Sequence, residues 1–120
     1  MEHIRRMKDR LRCDLTAALK ARRGEETAVL RTLLAAIDNA EAPALASGPA
    51  SGDPAAEAGP SEIERLALTP EELHRILADE VRGLEQGAAR LAALGQSARA
   101  QSLRAQAAIA ARYLEQPVNR

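Results

Sequence analysis

The chain has 120 residues, of which 46% are hydrophobic, but it contains no Trp, no Phe and only one Tyr. This length allows one small domain over 1–120, and apolar side chains that are mostly Ala and Leu favour helices over strands. Seventeen basic residues balance seventeen acidic ones, which excludes the large positive excess of strongly basic nucleic-acid-binding proteins.

The N-terminal residues, the cysteine content and the lengths of the apolar runs indicate an intracellular protein without a membrane span. Cys13 is the only cysteine, so no internal disulfide is available. No apolar run reaches the ~18–20 residues that cross a bilayer. The charged first residues lack the apolar centre of a signal peptide. We therefore expect a cytoplasmic location and no membrane partner.

The first 41 residues contain two helical patterns, over 4–22 and 26–41. In each pattern apolar residues recur at steps of three and four and form one stripe. The stripe positions are Ile4, Met7, Leu11, Leu15, Ala18, Leu19, Val29, Leu30, Leu33, Leu34, Ile37 and Ala40.

The junction between these helices is basic, then glycine, then acidic. Lys20, Arg22 and Arg23 suit the negative end of the first helix dipole, and Gly24 is the expected left-handed cap residue. The pattern predicts a tight helical hairpin over 4–41.

Residues 42–61 have a different composition, with four Pro and three Gly. Proline removes a backbone donor and glycine adds conformational freedom, so this stretch is predicted to be a flexible linker. The short alternation over 62–68 indicates an extended segment lying on the helices, since seven residues make no sheet alone.

A capping box opens the third helix. Thr69 is a favoured N-cap, Pro70 suits the first helical position, and Glu72 completes the box three residues on. The helix is predicted over 70–94 with Gly95 as its stop. Its stripe positions are Leu73, Leu77, Val81, Leu84, Ala88 and Leu91.

Two glycines inside the third helix, Gly83 and Gly87, each cost about 1 kcal/mol relative to Ala, so they predict a close helix contact or a weak point. The fourth helix is predicted over 98–115 with Ser97 as its N-cap. Its stripe positions are Ala100, Leu103, Ala107, Ala110 and Leu114.

These elements predict an all-α fold: two αα-hairpins, over 4–41 and 69–115, joined by the Pro/Gly/Ala-rich linker and packed as a small four-helix bundle. Small Ala side chains allow the helices to approach closely.

Few residues offer chemistry. The chain has no phosphate-binding Gly-rich loop and no nucleophile elbow. Cys13 could pair with His3 or His74, but its position off the apolar stripe favours an ordinary surface cysteine. Glu71 and His74 have the i, i+3 spacing of di-metal bundles, which require two such motifs. We expect no catalytic residue, no metal and no cofactor.

The basic residues of the first hairpin are the stronger candidates. They suit contacts with RNA phosphates through charge and bidentate hydrogen bonds. The candidates are Arg12, Lys20, Arg22, Arg23 and Arg31. The alternative is a solvated surface with helix ion pairs. The expected pairs are Arg5–Asp9, Arg10–Asp14 and Glu71–Arg75. Without aromatic residues for base stacking, sequence-specific binding of single strands is not expected.

Residues 11–22 and 30–41 resemble the GatB/YqeY family. The resemblance continues through Leu68-Thr69-Pro70-Glu71-Glu72-Leu73, then Asp79-Glu80-Val81, Gly95 and Tyr113-Leu114. It covers the N-terminal subdomain of the family, and its polar signature positions are Arg31, Asn39, Glu41 and Glu80.

The resemblance implies a fold related to the C-terminal helical region of the B subunit of glutamine-dependent tRNA amidotransferases, with tRNA or amidotransferase subunits as partners. The family label is carbon–nitrogen ligase with glutamine as amido-N-donor, although that chemistry lies in other domains. We therefore expect a non-catalytic module. The alternative is a protein-interaction adaptor that receives a partner helix in an apolar groove between the hairpins.

Overall fold

The computed structural model describes residues 2–42 and 67–115, and within these residues it contains helices and no strand. The helices are α1 Glu2–Lys20, α2 Gly24–Glu41, α3 Pro70–Ala93 and α4 Ser97–Leu114. The predicted all-α fold with two helical hairpins is confirmed. The predictions for 43–61 and 62–66 lie outside the described residues.

The core follows the predicted stripes. Its largest fully buried side chains are Leu11, Val29, Leu30, Leu33, Ile37, Leu73 and Leu77. The prediction was wrong for Leu19, which is 47% exposed, because Ala18, one position earlier around the helix, takes the buried place at the end of α1. Leu68, just before α3, is half-buried and packs against this core.

α2 packs against each of the other three helices, and α3 packs along α4. The α3–α4 pair is close at Gly87, where an added Cβ would lie 3.1 Å from Cδ1 of Leu103. A Cβ added at Gly83 would meet nothing within 4 Å. Of the two glycines, therefore, only Gly87 marks a close helix contact. None of the described helices is long and apolar enough to cross a membrane.

The helix N-termini agree with the prediction at α3 and differ at α4. The Thr69 hydroxyl accepts from the Glu72 backbone N–H at 3.0 Å, and the Glu72 carboxylate accepts from the Thr69 N–H at 2.9 Å. This confirms the capping box. At α4 the N-cap is Gln96 and Ser97 is already helical, because the turn after α3 ends at Gln96 and leads directly into the next helix.

Candidate nucleic-acid interface

The five RNA-binding candidates are all exposed and lie on the first hairpin. Lys20 ends α1, and Arg22 and Arg23 form the connection to α2. Arg12 is eight residues before Lys20, and Arg31 is eight residues after Arg23. At 1.5 Å per residue each lies about 12 Å along its helix from the connection. The structure thus brings Lys20, Arg22 and Arg23 together and leaves Arg12 and Arg31 further along the hairpin.

The connection after α1 is a Schellman turn. The Arg23 N–H donates to the Ala18 carbonyl at 2.9 Å, and the Arg22 N–H donates to the Leu19 carbonyl at 3.2 Å. These are the two bonds that define the motif. Arg22 has the left-handed φ of 60°. The prediction that Gly24 takes this conformation was wrong, because the turn closes two residues earlier and Gly24 begins α2.

The connection after α3 repeats the motif with the expected residue. The Gln96 N–H donates to the Leu91 carbonyl at 2.8 Å, and the Gly95 N–H donates to the Ala92 carbonyl at 3.0 Å. Gly95 has φ 80°, so its predicted role as the stop of α3 is confirmed. Arg22 therefore occupies the turn position that glycine fills in the second hairpin. For a residue with a Cβ, this left-handed conformation costs about 1–2 kcal/mol of conformational free energy.

Ion pairing divides the candidates into two groups. The Arg23 guanidinium lies 3.0 Å from the Glu26 carboxylate, and that of Arg12 lies 3.4 Å from Asp9. In the described part of the chain, the other three candidates have no carboxylate within 4.0 Å. These three cations are Lys20, Arg22 and Arg31. They are the ones whose charge is not already balanced by a nearby carboxylate.

The expected helix ion pairs form only in part. Arg10 Nε lies 3.8 Å from the Asp14 carboxylate. The pairs Arg5–Asp9 and Glu71–Arg75 are not within 4.0 Å, and Asp9 pairs with Arg12 instead.

The four polar positions singled out by the sequence resemblance have different surroundings. Glu41 is half-buried, and its carboxylate lies 2.8 Å from Lys8 Nζ, which ties the end of α2 to the start of α1. Asn39 is exposed, and its backbone carbonyl accepts from the Ala42 N–H at 3.2 Å. Glu80 is half-buried on α3, and Arg31 is exposed on α2. Of these four residues, only Glu41 makes a described side-chain contact with another helix.

The polar contact between α1 and α4 was not predicted from the sequence. The Tyr113 hydroxyl donates to Asp14 at 2.5 Å, and the Arg10 guanidinium lies 4.9 Å from the centre of the tyrosine ring. Burial raises the pKa of Tyr113 well above its usual value, and the hydrogen bond and charge of Asp14 raise it further. Tyr113 is 4% exposed, so the only aromatic ring in the sequence is inside the protein.

A second basic region was also missed, although composition alone reveals it. Residues 86–114 contain no Asp or Glu, and their four arginines are all exposed. These are Arg90, Arg99, Arg104 and Arg112. Arg90 lies on α3 and the other three lie on α4, and no described carboxylate lies within 4.0 Å of any of them.

The residues considered for catalysis or metal binding are placed as follows. Cys13 is exposed and makes no disulfide. His3 and His74 line a small cavity of about 10 Å³ that also touches Met7, Leu77 and Tyr113. Within residues 2–42 and 67–115, no group of three or more His, Cys, Asp or Glu side chains is arranged to hold a metal ion.

Comparisons of the chain with protein-family models, with curated proteins and with solved structures gave no match.

Proposed function

We propose that this chain is a non-catalytic helical module that binds structured RNA through the connection between α1 and α2. Arg22 carries the proposal, because it is an arginine in a left-handed position where the matching turn uses glycine. Unfavourable backbone conformations are often kept where a side chain has a function. An exposed guanidinium without a described carboxylate partner is suited to a phosphate.

The neighbouring charges extend this surface. Lys20 lies two residues before Arg22, and Arg31 lies further along α2, both without a carboxylate within 4.0 Å in the described residues. Arg12 and Arg23 contribute less net charge because Asp9 and Glu26 are close to them. Since Tyr113 is buried, contact with RNA runs through phosphates and not through base stacking.

The family resemblance supplies the candidate RNA and the setting. We take the RNA to be tRNA, and the setting to be the glutamine-dependent tRNA amidotransferase system. In this proposal, the carbon–nitrogen ligase activity that labels the family belongs to the complete amidotransferase. The role of the present chain is binding.

Filter binding of tRNA across a range of salt concentrations tests the proposal. We expect affinity to fall as salt rises, and the slope against log salt to decrease by about one for each phosphate contact removed. The test variants are Arg22→Gly, the double variant Arg22→Ala with Arg23→Ala, and Lys20→Ala. Arg75→Ala, an exposed arginine on α3, is the matched control. Absent binding at low salt, or equal binding by Arg22→Gly and the wild type, rejects the proposal.

The second candidate function is that of a protein-interaction adaptor, and one groove supports it. A groove of about 320 Å³ runs between α3 and α4 and is lined by Ala89, Ala107, Ala108 and Ala111, with Glu85 on one wall and Arg104 on the other. It lies within the second hairpin. Its occupant would be a helix with small residues facing the alanines and opposite charges facing Glu85 and Arg104.

Binding of purified amidotransferase subunits in the absence of RNA distinguishes the two candidates. Ala108→Arg fills the groove and is expected to abolish adaptor binding while tRNA binding stays unchanged. Loss of subunit binding only in Arg22→Gly contradicts the adaptor function.

A further inference from the structure

A further charged region lines a cavity in the first hairpin, at the end opposite the α1–α2 connection. The cavity measures about 280 Å³ and lies between the start of α1, the end of α2 and the residues that lead into α3. Its lining includes Ile4, Arg5, Lys8, Arg12, Glu41 and Leu68. Three of these six side chains are cationic and one is a carboxylate.

The carboxylate is balanced by the most enclosed of the three cations. Lys8 Nζ lies 2.8 Å from Glu41 and 3.3 Å from Asp38. The side chains of Lys8 and Glu41 are 15% and 12% exposed. This compensated pair forms one side of the cavity and adds little net charge to it.

Arg5 keeps its charge for a ligand, and Arg12 shares its charge with an exposed carboxylate outside the cavity. Arg5 has no carboxylate within 4.0 Å in the described residues. Among the described residues, the one carboxylate within 4.0 Å of Arg12 is that of Asp9, at 3.4 Å, and it is 64% exposed and outside the cavity lining. Such solvated pairs are weak. Arg5 and Arg12 are seven residues apart, so they lie on the same side of α1, about 10.5 Å apart along its axis.

The rest of the lining is apolar. Ile4 is 5% exposed and belongs to the core, and Leu68 is half-buried against that core. The cavity therefore combines an apolar floor with two guanidinium groups on one wall. An occupant must present an anionic group to the arginines and an apolar surface to Ile4 and Leu68.

We infer that this cavity binds a phosphomonoester carried on a small group with an apolar face, as in a mononucleotide. Two guanidinium groups match a phosphomonoester, which carries a charge of about −1.5 to −2 at neutral pH, better than a single carboxylate. The volume lies just below the ~300 Å³ at which drug-sized pockets begin, which suits a ligand of this size. Apolar side chains also pack against the faces of bases.

The inference is independent of the RNA surface at the α1–α2 connection and shares only Arg12 with it. The ligand can be a free nucleotide or the 5′-phosphorylated end of an RNA chain. Both present the same phosphomonoester to Arg5 and Arg12, and the experiment separates them.

Titration of the isotope-labelled 120-residue chain with AMP, followed by amide NMR, tests the inference. We expect one saturable site with shifts centred on residues 4–12 and 67–68. Adenosine, which lacks the phosphate, and inorganic phosphate, which lacks the base, are each expected to bind at least about tenfold more weakly. Arg5→Ala and Arg12→Ala are each expected to weaken AMP binding by about tenfold. Arg75→Ala is the control and keeps wild-type affinity.

Two results overturn the inference: no shift in these residues at millimolar AMP, or unchanged AMP affinity in the Arg5→Ala/Arg12→Ala double variant. Equal affinity for AMP and inorganic phosphate also overturns it, because the apolar floor then has no role. Oligonucleotides with and without a 5′-phosphate identify the source. Stronger binding of the phosphorylated strand assigns the site to RNA ends, and binding of AMP alone assigns it to free nucleotides. Loss of tRNA binding in Arg22→Gly leaves all of these outcomes unchanged.

Discussion

The Tyr113 hydroxyl donates a hydrogen bond to the Asp14 carboxylate at 2.5 Å, and this contact joins α4 to α1 across 99 positions of the sequence. Arg10 completes the cluster, with its Nε 3.8 Å from Asp14 and its guanidinium over the tyrosine ring. The contact therefore ties together helices from the two different hairpins. It also keeps the single aromatic ring away from the surface.

Removing the hydroxyl is expected to destabilise the fold. Tyr113→Phe keeps the ring and its packing but leaves Asp14 without its donor. Because hydrogen bonds to charged groups contribute about 1.5–3 kcal/mol, we expect a loss of about 2 kcal/mol in the free energy of unfolding. Urea unfolding followed by circular dichroism measures it. Asp14→Asn keeps an acceptor oxygen and is expected to lose less. A Tyr113→Phe protein as stable as the wild type contradicts the assignment.

The same contact predicts a loss of stability at alkaline pH. Burial and Asp14 raise the pKa of Tyr113 in the folded state, so the folded protein holds the phenol proton more tightly than the unfolded chain. The contribution to stability is fully present below the unfolded value of about 10 and declines as the pH rises above it. The stability difference between wild type and Tyr113→Phe should therefore shrink between about pH 10 and 12. A difference that is constant across this range contradicts the prediction.

The sequence predicts this fold well where the determining contacts are local. Thr69 and Glu72 are three residues apart, and their capping box forms as expected. The end of α3 at Gly95 was also predictable, because both hydrogen bonds of its turn join residues of the short segment 91–96.

Predictions failed where a distant contact or a choice between similar local patterns decides the structure. Nothing within a few residues of Asp14 indicates that Tyr113 will donate to it. The turn after α1 can close at more than one residue of the segment 20–24. The structure places Arg22 in the left-handed position. The exposure of the candidate cations was predictable from their place off the apolar stripe. Their ion pairing depends on side-chain geometry that periodicity does not specify.

The two Schellman turns predict opposite responses to substitution. Arg22→Gly relieves an unfavourable backbone conformation, so we expect a gain of about 0.5–1 kcal/mol in stability. Gly95→Ala places a Cβ on a residue with the left-handed φ of 80°. We expect it to lower the free energy of unfolding by at least about 1 kcal/mol. Thermal and urea unfolding of both variants measures the pair. A destabilised Arg22→Gly protein shows that the Arg22 side chain supports the fold, which removes the structural argument for its role in binding RNA.

The two glycines inside α3 also predict different outcomes for the same substitution. A Cβ at Gly83 meets nothing within 4 Å. Gly83→Ala should therefore raise the free energy of unfolding by about 0.5–1 kcal/mol, because alanine reduces the freedom of the unfolded chain and favours the helix. A Cβ at Gly87 lies 3.1 Å from the Leu103 side chain, and overpacking costs about 1–3 kcal/mol. We therefore expect Gly87→Ala to be no more stable than the wild type. Urea unfolding of the two variants under identical conditions compares them directly. Equal gains at both positions mean that Leu103 moves aside freely, and the close approach of α3 and α4 then does not depend on the missing Cβ.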